Sequence, residues 1–146
     1  MEDWTDITTA SWDGVLHKAE LELIAAADLT RELTKMAAEI RTMITTWSPN
    51  TVSADPLKIP PGFVGRALIV VRNRVLSGIP NYTIDDDRRK QAELAEAWFL
   101  EVARGKIRPV PATDAVPNTV PSERPAGVEV VSAPGSRTGR ERMNGI

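Results

Sequence analysis

Residues 29–47, with the sequence LTRELTKMAAEIRTMITTW, carry the clearest structural signal in the chain. Apolar side chains recur in this stretch every three or four positions: Leu29, Leu33, Met36, Ala37, Ile40, Met43, Ile44 and Trp47. The spacing places them on one face of a helix of about five turns, opposite a face of alternating charge. We expect Asp28 to cap this helix and Pro49 to end it.

Two more long helices are expected further along the chain. The first begins at Pro60-Pro61, because a proline at the first helical position loses no hydrogen bond, and Gly78 is expected to end it in a left-handed conformation. The second begins with three aspartates, residues 85–87, and ends at Arg104-Gly105.

The other parts of the first hundred residues give shorter elements. Residues 4–27 predict one or two short helices, with Thr8, Thr9 or Ser11 as the cap. Residues 48–60 contain three prolines and no apolar period, so we expect a loop there. The fold class predicted for this part of the chain is therefore all-α: a small bundle of three long helices with a short N-terminal helical segment.

Composition changes near residue 106. Six of the eleven prolines lie in the last 41 residues, which contain no aromatic side chain. Residues 1–105 hold 12 basic and 16 acidic side chains, a net charge of -4, whereas residues 106–146 hold 6 and 4, a net charge of +2. We therefore divide the chain into a helical bundle domain, 1–105, and an extended Pro-rich C-terminal arm, 106–146.

Composition also argues against catalysis. The absence of cysteine excludes disulfides and thiolate sites, and the single histidine, His17, excludes any scheme that needs two imidazoles. The aspartates at 85–87 are explained by helix capping, because no second carboxylate cluster has a spacing that would complete a metal site. We expect no catalytic, cofactor-binding or metal-binding residue, and no enzyme.

A membrane location is not expected either. No apolar run approaches the ~18 to 20 residues that span a bilayer. The N-terminus Met1-Glu2-Asp3-Trp4 is acidic, where a secretory signal would be basic and then apolar. We therefore expect a protein that is intracellular, or is assembled inside a cell, and that makes no membrane contact.

Basic side chains are concentrated in the helix predicted to begin at Pro60-Pro61, at Arg66, Arg72 and Arg74, and at the start of the helix predicted to begin at residues 85–87, at Arg88, Arg89 and Lys90. A DNA-binding domain normally carries a surplus of positive charge, whereas this body is acidic. We therefore prefer ion pairing with acidic residues, within the chain or between subunits, and take Arg72 and Arg74 as candidate partner-binding residues. The alternative is a small helical DNA-binding regulator or packaging factor. It would contact DNA through Arg66, Arg72 and Arg74 and through the basic end of the tail, Arg137, Arg140 and Arg142.

The four tryptophans divide into two pairs. Trp47 and Trp98 lie in helical apolar stripes, which favours core packing for both. Trp4 and Trp12 lie near the N-terminus, where an aromatic residue is as often an interface anchor as a core residue. Both interpretations stay open for Trp4 and Trp12, and we include the pair among the candidate partner-binding residues of the body.

The arm contains one strand-like stretch, residues 127–133. Its valines would add a strand to a partner's sheet or dock on its surface. Ordering the arm costs about 1 to 2 kcal/mol per residue, and it has few large side chains to offset that cost, so we expect it to order on partner chains. The candidate partner-binding residues of the arm are Val128, Val130, Val131, Arg137, Arg140 and Arg142.

The order of these features resembles the head-tail connector (neck adaptor) proteins of tailed bacteriophages, including the Mu-like group. The resemblance covers roughly residues 4–110. The pieces that carry it are Trp4-Thr5-Asp6-Ile7, the helix at 29–47, Ile59-Pro60-Pro61 before the helix at 63–76, and AWFLEVARGKI at 97–107. The last piece is the most telling, because Val-Ala-x-Gly-Lys follows a leucine or aromatic residue and precedes an extended segment.

The resemblance implies a non-enzymatic virion protein of the neck, between the capsid portal and the tail, assembled in the host cytoplasm without cofactors. It implies a ring, commonly of twelve copies, that binds the portal and presents a docking surface for the next neck or tail protein. Genomic DNA passes through the lumen of such a ring without specific binding. The C-terminal extension of these adaptors often reaches the portal or a neighbouring subunit. This one is long and proline-rich, so the resemblance does not say which of them it meets.

Overall fold

The computed structural model describes residues 1–47 and 50–116, and this part of the chain is mostly helical with two small antiparallel sheets. The helices are α1 (Lys18–Leu23), α2 (Ala26–Thr46), α3 (Pro61–Ser77) and α4 (Asp86–Ala103), and a 3-10 turn spans Ile7–Thr9. The strands are β1 (Thr5–Asp6), β2 (Val52–Ser53), β3 (Lys58–Ile59) and β4 (Ala115–Val116). The predicted helical character is confirmed, and the two sheets were not predicted.

Helix α2 follows the predicted apolar face, but its first turn differs from the prediction. It begins at Ala26, so Asp28 lies inside the first turn and does not cap the helix. There the carboxylate interacts favourably with the positive end of the helix dipole and pairs with Arg31 at 2.7 Å. The helix ends at Thr46, and Pro49, the predicted terminator, lies outside the described residues.

Helices α3 and α4 both begin as predicted. Pro61 occupies the first turn of α3, and Asp85 caps α4 by accepting a hydrogen bond from the Arg88 backbone N–H at 2.8 Å. The prediction of a left-handed Gly78 is wrong, because its φ is -83°. The chain continues from α3 into a tight turn here, and the Gly78 N–H still reaches the Val75 carbonyl oxygen, so no left-handed residue is required.

The N-terminal segment contains less helix than the sequence predicts. Asp6, and not Thr8, Thr9 or Ser11, caps the 3-10 turn by accepting a hydrogen bond from the Thr8 backbone N–H at 2.9 Å. Gly14 has a φ of +78°, which glycine adopts without strain, and it separates this turn from α1.

The predicted loop at 48–60 contains two strands that pair with distant parts of the chain. Strand β3 pairs with β1 near the N-terminus, and β2 pairs with β4 after α4. A parallel bridge between Glu2 and Ala112 also joins the N-terminal region to the segment after α4. Strands of two residues have no detectable period, so the local pattern could not reveal them.

Helices α2, α3 and α4 pack against one another around the main apolar core. Three aromatic rings lie edge to face within it, with Phe63 and Phe99 at 4.8 and 5.2 Å from Trp98 between ring centres. A smaller apolar cluster lies between the N-terminal segment and the connection from α3 to α4. Its buried members are Leu16, Leu76 and Ile84.

Candidate interaction surfaces

Trp4, a candidate partner-binding residue, lies in the main core with 3% of its surface exposed. Its indole Nε1–H donates a hydrogen bond to the Val110 carbonyl oxygen at 2.9 Å. Beside it, the Glu2 N–H donates to the Pro111 carbonyl oxygen, and the Thr113 N–H donates to the Glu2 carbonyl oxygen, both at 3.0 Å. Trp4 therefore anchors the start of the predicted arm within its own chain. Its contact with a partner stays a prediction.

A polar network attaches the same segment to β2. The buried Ser53 donates its hydroxyl to the Asp114 carboxylate at 2.8 Å. Arg41 of α2 donates to the carbonyl oxygens of Lys58 and Ser53 at 3.1 and 2.8 Å. Burial lowers the pKa of Arg41, while nearby carboxylates raise it. Residues 106–116 therefore pack on the body, and the division of the chain after residue 105 stays a prediction.

Gly105 sets the direction of the chain as it leaves α4. Its φ is +79°, a left-handed conformation that glycine adopts without strain and that the sequence analysis did not predict at this helix end. A Cβ atom at this position would lie 2.6 Å from Cε3 of Trp47, so the indole ring packs there only against glycine. The guanidinium carbon of Arg108 lies 5.2 Å from the centre of the same ring. Trp47 is thus half-buried at the junction between α2 and the residues after α4.

Arg72, a second candidate, is 5% exposed and makes its hydrogen bonds inside the protein. It donates to the Val15 carbonyl oxygen at 3.0 Å and to Gln91 Oε1 at 2.7 Å. Burial lowers the pKa of Arg72, and the positive charge of Arg88 lowers it further. Trp12 is half-buried nearby and packs against both apolar clusters. Partner binding by Arg72 or Trp12 stays a prediction.

Arg74 is also paired within the chain. Its two terminal nitrogens donate to the two carboxylate oxygens of Glu39 on α2, at 2.9 and 2.8 Å. These hydrogen bonds raise the pKa of Arg74, and the charges of Glu96 and Glu32 act in the same direction. About a third of each side chain of the pair remains exposed, so a partner can still reach it.

A buried charged cluster around Glu20 was not predicted. The Glu20 carboxylate accepts hydrogen bonds from three donors: the Arg88 guanidinium, the Tyr82 hydroxyl and the His17 backbone N–H. Burial raises the pKa of Glu20, but these hydrogen bonds lower it more strongly, to about 2. The hydrogen bond to Glu20 raises the pKa of both Arg88 and Tyr82. The cluster joins α1 to α4 across more than sixty residues of sequence, so no local sequence pattern could predict it.

Arg66 lies in an exposed groove between α3 and α4. Its guanidinium carbon lies 4.1 Å from the centre of the Trp98 ring, and within the described residues it forms no ion pair. Leu94, 72% exposed, lines the same groove with Ile69 and Gln91. These five residues are called the α3-side patch below.

Leu100 lies on the other flank of α4, in a groove that α2 also lines. It is 51% exposed and lies close to Met43. Glu39, Glu96 and Arg74 border this groove, which leaves one negative charge in excess. These five residues are called the α2-side patch below.

Sequence analysis did not single out Leu94 or Leu100, although a helical projection contains the signal. At about 100° per residue, both leucines lie about 120° from the centre of the buried face that Ala95 and Phe99 define, one on each side. A leucine at that angle is too far round the helix to enter the core. Two such leucines mark two exposed apolar flanks.

The described residues contain no group of three or more side chains that could hold a metal ion. No helix in that part of the chain is long and apolar enough to cross a membrane. His17 is exposed at the start of α1, where its backbone N–H binds Glu20.

The candidate residues of the arm lie outside the described residues: Val128, Val130, Val131, Arg137, Arg140 and Arg142. Comparisons of the chain with protein-family models, with curated proteins and with solved structures returned no match. A functional conclusion therefore depends on the sequence pattern and on the surfaces described above.

Proposed function

We propose that this chain is a structural virion protein of a tailed bacteriophage, an adaptor that forms a ring at the neck between portal and tail. The three long helices form a small all-α bundle that acts as a rigid wedge in the ring. The arm docks on the portal or on a neighbouring subunit. The ring presents its other face to the next neck or tail protein.

The observation that best supports this proposal is the attachment of residues 106–116 to the body. Trp4, Ser53 and the Glu2 backbone all bind this segment, so the rest of the arm starts from a fixed point at Val116. An arm that holds two proteins together must be anchored at its near end, because otherwise docking of its far end would not position the body. The proline-rich composition beyond Val116 suits a segment that orders on a template.

Charge supports the same function over a dedicated DNA-binding one. The body carries a net charge of -4, and acidic faces toward a lumen would keep passing DNA from adhering. Of the three body arginines that the DNA-binding alternative uses, Arg72 and Arg74 make their hydrogen bonds within the chain. Of the three, only Arg66 forms neither a hydrogen bond nor an ion pair within the described residues, which leaves little cationic surface for a phosphate backbone.

The test is binding of the full chain to rings of the portal protein encoded in the same genome, followed by cryo-EM of the complex. We expect a ring of adaptors with the arm ordered on portal or neighbouring chains. Replacing Val128, Val130 and Val131 by Asp should abolish binding at concentrations where the wild type saturates the portal.

A matched variant adds the same three charges to the arm at polar positions outside the strand-like stretch, Thr119→Asp, Ser122→Asp and Ser136→Asp, and should bind as the wild type does. Equal binding by the valine variant would show that the arm does not dock through its strand-like stretch. Absence of portal binding by the wild type, together with duplex binding that falls steeply with salt, would overturn the adaptor and favour the DNA-binding regulator.

A further inference from the structure

Helix α4 exposes one large apolar side chain on each of two flanks. Leu94 is 72% exposed on the flank facing α3, and Leu100 is 51% exposed on the flank facing α2. An apolar side chain of the neighbouring helix lines the same groove as each leucine: Ile69 with Leu94, and Met43 with Leu100. Exposed leucines that extend an apolar groove on a well-packed helix indicate an interaction surface.

The two patches carry opposite charge. Arg66 supplies the charge of the α3-side patch and has no acidic partner in the described part of the chain. In the α2-side patch Arg74 is already held by both carboxylate oxygens of Glu39, and Glu96 supplies the uncompensated negative charge. The α3-side patch therefore has a positive charge without an acidic partner, and the α2-side patch has a negative charge in excess.

We propose that the α3-side patch of one copy binds the α2-side patch of the next copy, with Leu94 packed near Leu100 and Arg66 facing Glu96. Two like patches would oppose Arg66 to Arg66 or Glu96 to Glu96, which is repulsive. The contact is therefore heterologous, and each copy uses one flank of α4 for each of its two neighbours. This inference rests on the proposed ring and names the faces that its subunits share.

Such a contact is small and should be weak for two free copies. Interfaces well below about 1,200 Å² belong to transient complexes, and we expect a dissociation constant of about 0.1 to 1 mM. Ring closure or attachment to a template then strengthens it, because each further contact forms at high effective concentration. The free protein is thus largely monomeric at micromolar concentration.

The test uses sedimentation of the full chain up to about 2 mM, a range that spans the expected dissociation constant. The wild type should associate progressively. Leu94→Asp and Leu100→Asp should each remain monomeric alone, because each loses one patch. An equimolar mixture of the two variants should form dimers that grow no further, because Leu94→Asp keeps the α2-side patch and Leu100→Asp keeps the α3-side patch.

Leu23→Asp is the matched control, since Leu23 is 57% exposed on α1 and lies outside both patches. It should associate as the wild type does. Far-UV circular dichroism should show that all three variants fold, as expected for changes at exposed positions. A wild type that stays monomeric, a mixture that forms no dimer, or single variants that associate like the wild type would each overturn the proposal.

Charge exchange tests the pairing itself. Arg66→Glu and Glu96→Arg should each weaken association about five- to tenfold, because each places like charges opposite one another. The double variant restores opposite charges and should recover most of the wild-type association. Failure of this recovery would contradict the proposed pairing. Association without portal binding would instead refute the adaptor function alone, and portal binding without association would refute the patches alone.

Discussion

Helices α2, α3 and α4 meet through fully buried apolar side chains such as Ile40, Val71 and Phe99, whereas the segments around them combine apolar contacts with hydrogen bonds and ion pairs. Residues 106–116 are held by the Trp4 indole and by polar groups of the body, and α1 is held by the Glu20 cluster. The apolar contacts disappear only when the helices separate. The polar attachments can be lost one at a time, so the periphery can respond to a partner or to pH while the helices stay packed.

The largest expected effect comes from opening the contact among the three helices. Phe99 is 1% exposed and contacts Phe63 and Trp98 edge to face. Phe99→Ala removes these contacts and leaves a cavity, so we expect the free energy of unfolding to fall by about 3 to 5 kcal/mol. Urea denaturation measures this loss. Leu94→Ala, at an exposed position of the same helix, should cost less than about 0.5 kcal/mol.

The Glu20 cluster should make the attachment of α1 sensitive to acid. The pKa of Glu20 is about 2 in the folded protein and 4.5 without its partners, so the folded state favours the ionised form. Its contribution of about 2 to 3 kcal/mol is complete above pH 4.5 and disappears as the pH falls through 2.

Glu20→Gln should remove most of this contribution at pH 7 and flatten the stability profile between pH 4.5 and pH 2. Chemical denaturation at a series of pH values measures both effects. Glu22→Gln, an exposed position on the same helix, is the matched control and should keep the wild-type profile. An unchanged profile in Glu20→Gln would show that the cluster does not stabilise the folded state.

Gly105 lies at the boundary between the helices and the attached segment, and its replacement should cost an intermediate amount. Gly105→Ala combines the left-handed backbone, which costs about 1 to 2 kcal/mol for other residues, with a Cβ that meets the Trp47 ring. We expect a loss of about 2 to 3 kcal/mol in thermal unfolding. Gly65→Ala, within α3 and with open space around the added Cβ, should instead stabilise the protein by about 0.5 to 1 kcal/mol.

The smallest global effect is expected at the indole of Trp4. Trp4→Phe removes the hydrogen bond to the Val110 carbonyl oxygen and should cost about 1 kcal/mol. Hydrogen exchange should reveal faster exchange of the Thr113 amide, which binds the adjacent Glu2 carbonyl oxygen, while amides of α3 keep their protection.

Trp47→Phe provides the comparison for Trp4, because the Trp47 indole nitrogen is buried without a hydrogen-bond partner in the described residues. Because Trp47→Phe removes no hydrogen bond, it should leave the exchange rate of the Thr113 amide unchanged. Equal acceleration in both variants would indicate that ring volume, and not the hydrogen bond of Trp4, holds the segment.

The sequence predicts those parts of the fold in which a residue determines the conformation of backbone only a few positions away. Pro61 and Asp85 begin their helices as expected because each acts on the adjoining backbone. The errors at Asp28 and Gly78 are also local, and arise because several residues near a helix end can satisfy the same backbone groups. Of the candidate site, the sequence revealed arginines and tryptophans but not which of them the protein uses internally.

Sequence alone thus determined the three long helices, the acidic body and the change in composition near residue 106, because periodicity, capping and charge are properties of short stretches. Tertiary structure decided that Arg72 is buried, that Trp4 binds Val110, and that Ile69 and Met43 of the neighbouring helices line the grooves beside Leu94 and Leu100. These outcomes depend on distances between residues far apart in the chain. Such distances exist only once the helices have packed against one another.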